Sequence, residues 1–352
     1  MKARVIKSCL AYLYGSGAIN EIGTFCNDEL SLTGKAILIS DPTVWTIAGK
    51  QISENLMHAG FEKVESVFVK GAWKSEVDMI REKIRALGAT VVFGIGGGVN
   101  MDVAKAAASE ENINIITVPT IFATEAQTMA LAVFRDGYRP NIRPILGCVV
   151  DTDIIKQAPW RFQAAGYSDF MGKTSGIADW ELACSRKKEF TQNFSGIFGY
   201  ELAKLQLRLL HKYAVAVKNK EEKAFDLFLQ VFMIDGEINQ LCKPGWNWGT
   251  EHAVARGLED CVDVLHGEAV GISTILMTCW QGGDWKNVKK TLETVGAKVT
   301  AKQLGVSDDK IINALTDATS WVKQRPNYYT ILHEKPLTDK TAQFLAEMTE
   351  VI

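Results

Sequence analysis

At 352 residues, the chain is longer than a single hydrophobic core commonly supports, so we expect two domains. Its formal net charge is −2, and the positive and negative residues are interspersed. This balance excludes the basic surface of a typical nucleic-acid-binding protein. The composition, 47% hydrophobic and 23% charged, is typical of a globular protein.

The cysteines and the apolar segments indicate a cytoplasmic protein. Seven cysteines are present, and their odd number and scattered positions argue against a disulfide framework. The N-terminus resembles no signal peptide. The longest apolar run, Ala269–Trp280, is shorter than the ~20 residues that cross a bilayer. We therefore expect a buried helix at this run and no membrane partner.

The first part of the chain alternates strand-like and helix-like segments. The predicted strands are Lys35–Ser40, Val64–Val69, Thr90–Gly94 and Ile113–Val118. The first predicted helix ends at Leu56, and the next two span Glu76–Leu87 and Val99–Ser109. This alternation is typical of right-handed βαβ units around a parallel sheet. It predicts a Rossmann-like α/β domain over residues 1–155, with ligands at the carboxyl ends of the strands.

Beyond residue 155 the spacing of apolar residues is helical. The predicted helices are Phe162–Ala183, Gly199–Tyr213, Glu221–Leu241, Thr250–Leu258 and Leu265–Cys279. The prolines at 159, 244, 326 and 336 are expected near helix ends. This half is predicted to be an all-α domain over residues 156–352.

Three consecutive glycines, Gly96, Gly97 and Gly98, follow an apolar strand and open a helix. Without side chains they let backbone N–H groups approach a pyrophosphate, and the helix N-terminus adds partial positive charge. A tight structural turn is the alternative explanation. Asp41 ends the first predicted strand, where it could bind the ribose of NAD or cap the following helix.

Asp169, His252 and His266 supply one carboxylate and two imidazoles from three separate segments. Such a set can hold a divalent metal and leave one coordination position open. Taken singly, Asp169 could instead be a charge near a helix N-terminus, and the histidines could be ordinary core residues. The spacing alone leaves these alternatives open.

Several motifs together resemble the iron-containing alcohol dehydrogenase and dehydroquinate synthase superfamily, from about Tyr14 to the end of the chain. They are Gly96-Gly97-Gly98 with Asp102-x-Ala104-Lys105, Val118-Pro119-Thr120, Ala165-Gly166-x-x-Asp169, Glu251-His252 and Leu265-His266-Gly267-Glu268. Segments 177–182 and 325–332 are most similar to the glycerol-1-phosphate dehydrogenase branch. The resemblance implies that Asp169, His252 and His266 are metal ligands and that the fold is dehydroquinate synthase-like. The implied cofactor-binding residues are Asp41, Gly96, Gly97, Gly98, Val99, Asn100, Asp102, Thr120 and Met129.

The chain departs from the family pattern around the implied substrate. Ala123 replaces a serine, Glu125 a substrate-facing aspartate and Met129 a serine near the nicotinamide. Arg256 stands where the glycerol-phosphate branch has a second histidine. Four residues after His252 on a helix, Arg256 would share its face and could bind an anion bidentately. Alternatively, it could form a salt bridge to Glu259, Glu268 or another carboxylate. Lys173 is a further candidate anion contact, or else a solvated helix lysine.

These residues predict a metal-dependent, NAD(P)-linked oxidoreductase that interconverts a ketone and a secondary alcohol on a small anionic polyol. The alternatives are a sugar-phosphate cyclase resembling dehydroquinate synthase, a glycerol dehydrogenase-like enzyme that oxidises a polyol, and a nucleotide-binding protein without catalysis. Zinc is the preferred metal, with iron or nickel as alternatives. We expect a homo-oligomer, the default for enzymes of this kind.

Overall fold

A computed structural model describes residues 5–186, 194–241, 249–261, 264–325 and 329–352. The described residues form two compact units. The sheet unit comprises the residues up to Pro159 together with Leu229–Gln240. The helical unit comprises Trp160–Phe228 and Leu241–Ile352. The division into residues 1–155 and 156–352 stays a prediction, and nothing in the sequence indicated that Leu229–Gln240 groups with the sheet.

The sheet unit contains six parallel strands in the order β1-β6-β5-β4-β2-β3. The strands are β1 (Ala11–Gly15), β2 (Lys35–Ser40), β3 (Lys63–Phe68), β4 (Val91–Gly96), β5 (Asn114–Pro119) and β6 (Gly147–Asp151). All residues of β4 and β6 are buried, as expected when helices cover both faces of a parallel sheet. The Rossmann-like architecture predicted from the sequence is confirmed. Strands β1 and β6 were not predicted.

The helices of the first 159 residues include short 3₁₀ turns and π turns. The α-helices are α1 (Ile22–Thr24), α2 (Pro42–Val44), α3 (Lys50–His58), α4 (Lys74–Leu87), α5 (Gly98–Glu110) and α6 (Thr152–Gln157). The 3₁₀ turn spans Ala18–Glu21, and the π turns span Phe25–Glu29 and Trp45–Gly49. One core cluster, which includes Ile22, Leu38, Phe93 and Val118, packs α1, α2 and α3 on the sheet.

Beyond residue 159 the described chain is helical. The helices are α7 (Trp160–Met171), α8 (Lys173–Ser185), α9 (Phe194–Lys218), α10 (Glu222–Leu241), α11 (Thr250–Ala255), α12 (His266–Trp280), α13 (Trp285–Thr294), α14 (Ala301–Leu304), α15 (Asp308–Lys323), α16 (Ile331–Glu334) and α17 (Asp339–Met348). The all-α character is confirmed. Pro159 and Pro336 lie just outside helices, whereas Cys242, Pro244 and Pro326 lie outside the described residues.

One predicted helix, Phe162–Ala183, is wrong as a single element, because α7 and α8 are separated at Gly172. A Cβ at Gly172 would lie 2.8 Å from both the carbonyl oxygen of Asp169 and a methyl group of Val270. The missing side chain of Gly172 therefore allows Val270 to lie close to the backbone at this break, and a larger residue would prevent this contact. Helix α12 is buried from Gly267 to Thr278, as predicted for this apolar run. No described helix is both long and apolar enough to cross a membrane.

Candidate metal centre and cofactor loop

Three helices of the helical unit bring Asp169, His252 and His266 together. Asp169 lies near the end of α7, His252 lies in α11, and His266 is the first residue of α12. Their potential ligand atoms all lie within 4.8 Å of one another. Asp169 Oδ1 is 3.5 Å from His252 Nε2 and 3.4 Å from His266 Nε2.

These distances fit a divalent metal. At metal–ligand distances of about 2.0–2.1 Å, neighbouring ligands of a tetrahedral site lie roughly 3.3–3.4 Å apart. Three protein ligands would leave the fourth position for a substrate oxygen or a water. The donor set, one carboxylate and two imidazoles, suits zinc, iron(II) or nickel.

Glycines allow α7 and α12 to approach closely enough to form this cluster. A Cβ at Gly267 would lie 1.9 Å from the carbonyl oxygen of Ala165. A Cβ at Gly271 would lie 2.9 Å from the Cβ of Ser168. Any larger residue at position 267 would push the first turn of α12, and with it His266, away from α7.

Two carboxylates, which the sequence analysis did not assign to the site, orient the imidazoles. His252 Nδ1 donates to Glu251 Oε1 at 2.8 Å, and His266 Nδ1 donates to Glu259 Oε1 at 2.7 Å. An ionised carboxylate only accepts hydrogen bonds, so each ring carries its proton on Nδ1 and leaves Nε2 for the metal. The sequence offered two signals: Glu251 directly precedes His252, and Glu259 lies seven residues before His266.

The cluster is strongly coupled electrostatically. Burial alone would raise the pKa of the Asp169 carboxyl, but the charges and hydrogen bonds of His266 and His252 hold that pKa well below its usual range. Burial alone would lower the pKa of His252, but hydrogen bonds to Asp169 and Glu251 raise it to about 9. The pKa of His266 is likewise raised, because Asp169 and Glu259 outweigh its burial.

Asp179 in α8 fixes the position of α11. It is buried, and it accepts hydrogen bonds from the backbone N–H and the hydroxyl of Thr250, the first residue of α11. Its other oxygen accepts from the N–H of Ile331, where α16 begins. Burial raises the pKa of Asp179 to about 6, although these hydrogen bonds oppose the shift. Asp179 thereby holds the helix that carries His252.

Arg256 directly follows α11. Its backbone N–H donates to the carbonyl of His252 at 3.2 Å, so the two residues are one helical turn apart, as predicted. Its guanidinium lies 4.8 Å from the centroid of the Trp321 ring. The predicted alternative partners are engaged elsewhere: Glu259 binds His266, and Glu268 binds Arg161 and Lys298. Among the described residues, Arg256 forms no salt bridge to a carboxylate.

Lys173 opens α8 and is buried, which rules out the alternative of a solvated helix lysine. Its ammonium lies 4.0 Å from the ring centroid of Phe170, within cation–π range. Lys173 therefore contributes a positive charge one helical turn beyond Asp169.

In the sheet unit, the three glycines connect β4 to α5. Gly96 has a φ of +125°, a conformation that favours glycine, and a Cβ there would lie 2.5 Å from the Asn100 amide. Gly97 precedes the first turn of α5, and Gly98 begins the helix. The Thr120 N–H donates to the Gly96 carbonyl at 3.2 Å, and the Val99 side chain is 43% exposed. This arrangement is the strand–glycine–helix turn that suits a pyrophosphate.

Asp41 and Asn100 connect this loop to the neighbouring strand. Asp41 Oδ1 accepts from the N–H groups of Thr43 and Val44, so the capping alternative for Asp41 is present. Asn100 Nδ2 donates to Asp41 Oδ2 at 3.1 Å and to the Ile95 carbonyl at 2.9 Å. The buried Asn100 side chain thus braces the loop, and Asp41 remains beside it.

Asp102 and Met129, both predicted to bind the cofactor, have structural partners. Asp102 Oδ1 is 2.8 Å from the ammonium of the fully buried Lys105, and Asp102 Oδ2 accepts from the Val133 N–H. Lys105 also donates to the carbonyls of Ala126, Met129 and Leu131. The Asp102–Lys105 pair therefore holds segment 126–133 against α5.

Glu125 is held by α10 within the sheet unit. The Asn239 amide donates to Glu125 Oε2 and lies 3.4 Å from Asp235 Oδ2. Both Asn239 and Asp235 are buried. Sequence reasoning missed these two residues, because nothing in the predicted helix distinguished them from other polar positions.

Comparison with known proteins agrees with this arrangement. The family model of iron-containing alcohol dehydrogenases matches residues 13–159. A glycerol-1-phosphate dehydrogenase [NAD(P)+] from Methanosarcina acetivorans is 33% identical and covers 97% of this chain and 94% of its own. The enzyme of that name from Methanothermobacter thermautotrophicus is 33% identical and covers 96% of each chain.

Solved structures share the fold. Glycerol dehydrogenase from Schizosaccharomyces pombe has a TM-score of 0.79 at 22% identity and covers 99% of this chain and 91% of its own. A probable glycerol dehydrogenase from Sinorhizobium meliloti has a TM-score of 0.78 at 19% identity and covers 99% and 100%. The chain belongs to the iron-containing alcohol dehydrogenase family, and it is an oxidoreductase.

Proposed function

We propose that the protein is an NAD(P)-linked, metal-assisted dehydrogenase that interconverts a ketone and a secondary alcohol on a small phosphorylated polyol. The observation that carries the proposal is the Asp169, His252 and His266 cluster, whose ligand atoms lie within 4.8 Å of one another, with a carboxylate behind each imidazole. The similarity to glycerol-1-phosphate dehydrogenases along nearly the whole chain supports the substrate class.

Asp169, His252 and His266 would hold the metal, with zinc preferred over iron or nickel. When bound, the metal would supply a Lewis acid for the substrate oxygen. Glu251 and Glu259 would keep the rings oriented, and Asp179 would keep α11 in place. The hydride would come from the nicotinamide, so the protein contributes mainly positioning and electrostatics.

The glycine loop would bind the pyrophosphate of the cofactor through Gly96, Gly97 and Gly98, with Val99, Thr120 and Met129 nearby along the chain. Asn100 and Asp102 would act by bracing the loop, since both side chains already have partners. Among the described residues, Asp41 Oδ2 accepts a hydrogen bond only from Asn100, so it keeps acceptor capacity for a ribose hydroxyl. The charge of Asp41 would repel a 2′-phosphate. We therefore propose that NAD is preferred over NADP.

Arg256, Lys173 and Glu125 would each be a substrate contact. A guanidinium is a permanent cation, so an arginine at this position can bind an anion but cannot deliver a proton as a histidine could. The replacement of histidine by arginine therefore favours tighter anion binding and removes one candidate acid. The cytoplasmic location and the homo-oligomeric state stay predictions.

The test is to incubate the purified protein with NADH, a zinc or iron(II) salt and a panel of three- to six-carbon ketone phosphates. We expect metal-dependent NADH oxidation with at least one phosphorylated ketone. His266→Ala should lose metal and turnover together, whereas His211→Ala, which changes a histidine hydrogen-bonded to Thr291 outside the cluster, should keep both. Full metal content and turnover in His266→Ala would contradict the assignment.

A further inference from the structure

The side chain of Asn100 connects the glycine loop to the carboxylate of Asp41. Asn100 Nδ2 donates to the Ile95 carbonyl at 2.9 Å and to Asp41 Oδ2 at 3.1 Å. A carbonyl and a carboxylate only accept hydrogen bonds, so the end of the amide that faces them is its NH2 group. An amide NH2 group has two N–H donors, and these two bonds use both of them. The amide of Asn100 therefore has no donor left for a ligand.

Gly96 makes room for this amide. A Cβ at Gly96 would lie 2.5 Å from Asn100 Nδ2 and 3.1 Å from a methyl group of Val44. The missing side chain therefore allows Asn100, which begins in α5, to reach the residue that follows β2. Asn100 is only 4% exposed, so packing restricts its side chain as well. The glycine loop and Asp41 are thus held together by one buried amide.

The carboxylate of Asp41 keeps one acceptor position. Its Oδ1 accepts from the N–H groups of Thr43 and Val44, at 2.9 and 3.0 Å. A carboxylate oxygen has about two lone-pair sites, so both sites of Oδ1 are used. Among the described residues, Oδ2 accepts from Asn100 alone. One lone-pair site of Oδ2 remains, and the amide of Asn100 determines which one it is.

This remaining position suits a hydroxyl and disfavours a phosphate group. A ribose hydroxyl can donate a hydrogen bond to Oδ2 of Asp41. A phosphate ester offers acceptor oxygens and about 1.5 to 2 negative charges at pH 7. The carboxylate repels these charges, and the amide of Asn100 has no N–H group left to bind the oxygens. The pair therefore discriminates by hydrogen-bond polarity as well as by charge.

We propose that Asn100 is a positioning residue for cofactor selection, which orients Asp41 so that its remaining acceptor site receives the 2′-hydroxyl of the cofactor. The inference rests on the proposed function and deepens it, because it names a residue that determines the preference for NAD. Asn100 acts through Asp41 and donates no hydrogen bond to the cofactor itself.

The first experiment is a double-mutant cycle in which NADH binding is measured by fluorescence titration. Asn100→Leu removes the amide at similar volume and should weaken NADH binding about tenfold, the scale of one hydrogen bond. Asp41→Ser keeps a residue that caps the helix, but its side chain is too short to replace the carboxylate. Asn100→Leu should have little effect in the Asp41→Ser background. An equal loss in both backgrounds, or no loss in either, would overturn the inference.

Asn55→Leu is the matched control for this cycle. It removes a side-chain amide that donates to a backbone carbonyl, that of Ile19 at 2.9 Å, so NADH binding should be unchanged. Asn100→Ser is a second variant, because its short hydroxyl keeps a polar group but leaves Asp41 without this donor. Circular dichroism shows which variants are folded. A loss in Asn55→Leu as large as that in Asn100→Leu would show that the effect is not specific to Asp41.

The second experiment separates positioning of Asp41 from support of the loop. Wild-type protein and Asn100→Leu are titrated with NADH, with its 2′-deoxy analogue and with NADPH. Asn100→Leu should weaken NADH binding most, because the other two nucleotides have no 2′-hydroxyl to lose. The preference for NADH over NADPH should therefore narrow. Equal losses for all three nucleotides would show that Asn100 only supports the glycine loop.

The two proposals fail differently. If NADH binding depends on Asn100 through Asp41 but no ketone phosphate is reduced, the proposed reaction is wrong and the role of Asn100 stands. If ketone phosphates are reduced with NADH but Asn100→Leu weakens all three nucleotides equally, the reaction stands and the role of Asn100 is wrong.

Discussion

The ligand cluster depends on side chains that would not themselves touch a metal. Glu251 and Glu259 each accept a hydrogen bond from the Nδ1 of a histidine. Each imidazole ring is therefore held in one orientation, with its Nε2 directed towards the cluster. The three candidate ligands could be predicted from the sequence, because few residue types bind metals and a family motif surrounds each. The carboxylates behind them could not, because glutamates are common and only folding shows which one meets an imidazole.

Glu259→Gln tests the supporting role at this position. The variant keeps the shape of the side chain but removes the charge that makes the His266 ring a stronger ligand, so metal affinity should fall about 10- to 100-fold. Glu334→Gln, at a surface pair with Arg186, is the control and should bind metal normally. Affinity is measured by competition with a chromogenic chelator. Equal affinities for both variants would remove Glu259 from the site.

Proton competition at the histidines gives a second expected outcome. Because the pKa of His252 is raised to about 9 and that of His266 is also raised, metal must displace protons at neutral pH. Metal affinity should therefore increase with pH up to about 9. Calorimetry in buffers of different ionisation enthalpy should detect proton release, and a pH-independent affinity would contradict the coupling.

The same raised pKa values of the two histidines affect how the stability of the metal-free protein depends on pH. A histidine whose pKa is higher in the folded state stabilises the fold fully below its unfolded pKa of about 6.5 and loses that contribution as pH rises through the folded value. Without metal, Tm should therefore decline between pH 6.5 and about 9. Thermal melts of chelator-treated protein test this sign, and His252→Gln should reduce the decline.

At the scale of elements, long periodic segments could be predicted and short ones could not. Strand β2 coincides with its prediction, and β3, β4 and β5 are displaced by only one or two residues. Strands β1 and β6 were missed because they are only five residues long and lack a neighbouring helix signal. The break between α7 and α8 was missed for two reasons. The backbone of Gly172 is itself helical, and the residue that requires a glycine there, Val270, is far away in sequence.

The cofactor loop gives a prediction at this scale. Gly97 has a negative φ, and among the described residues a Cβ there would meet two side-chain carbons of Ile121, at 3.3 and 3.8 Å. Gly97→Val should therefore fold but block the close approach of a pyrophosphate, so NADH binding measured by fluorescence should be lost. Gly96→Ala should instead destabilise the protein, because Gly96 has a positive φ and its Cβ would meet Asn100. Normal NADH binding in Gly97→Val would contradict the role of the loop.

At the scale of the whole molecule, the sheet unit is discontinuous in sequence. Phe232 of α10 stacks on Phe122, with centroids 5.2 Å apart, and its carbonyl accepts from Gln127. Glu237 accepts from the backbone of Cys9 and from the hydroxyl of Tyr12. Composition and periodicity predicted a change of domain near residue 155 but gave no sign that a segment of the helical half returns to the sheet.

Fragments test this dependence. Fragment 1–159 should be much less stable than the same fragment joined by a flexible linker to residues 222–241. A linked fragment with Phe232→Ala should be intermediate, because removing a buried phenylalanine costs about 3–5 kcal/mol. Urea unfolding followed by circular dichroism gives the comparison. Equal midpoints for the fragments with and without residues 222–241 would show that α10 is dispensable for the sheet unit.

The return of the chain at Leu229–Gln240 also sets an order of events during translation. At synthesis rates of about 5–20 residues per second, the ribosome needs roughly 4 to 16 s to proceed from Trp160 to Gln240. Throughout this interval the nascent sheet has all six strands but lacks the stacking partner of Phe122. We therefore expect the sheet unit to reach its full stability only after residues 229–240 have been synthesised, so that its folding is not strictly vectorial.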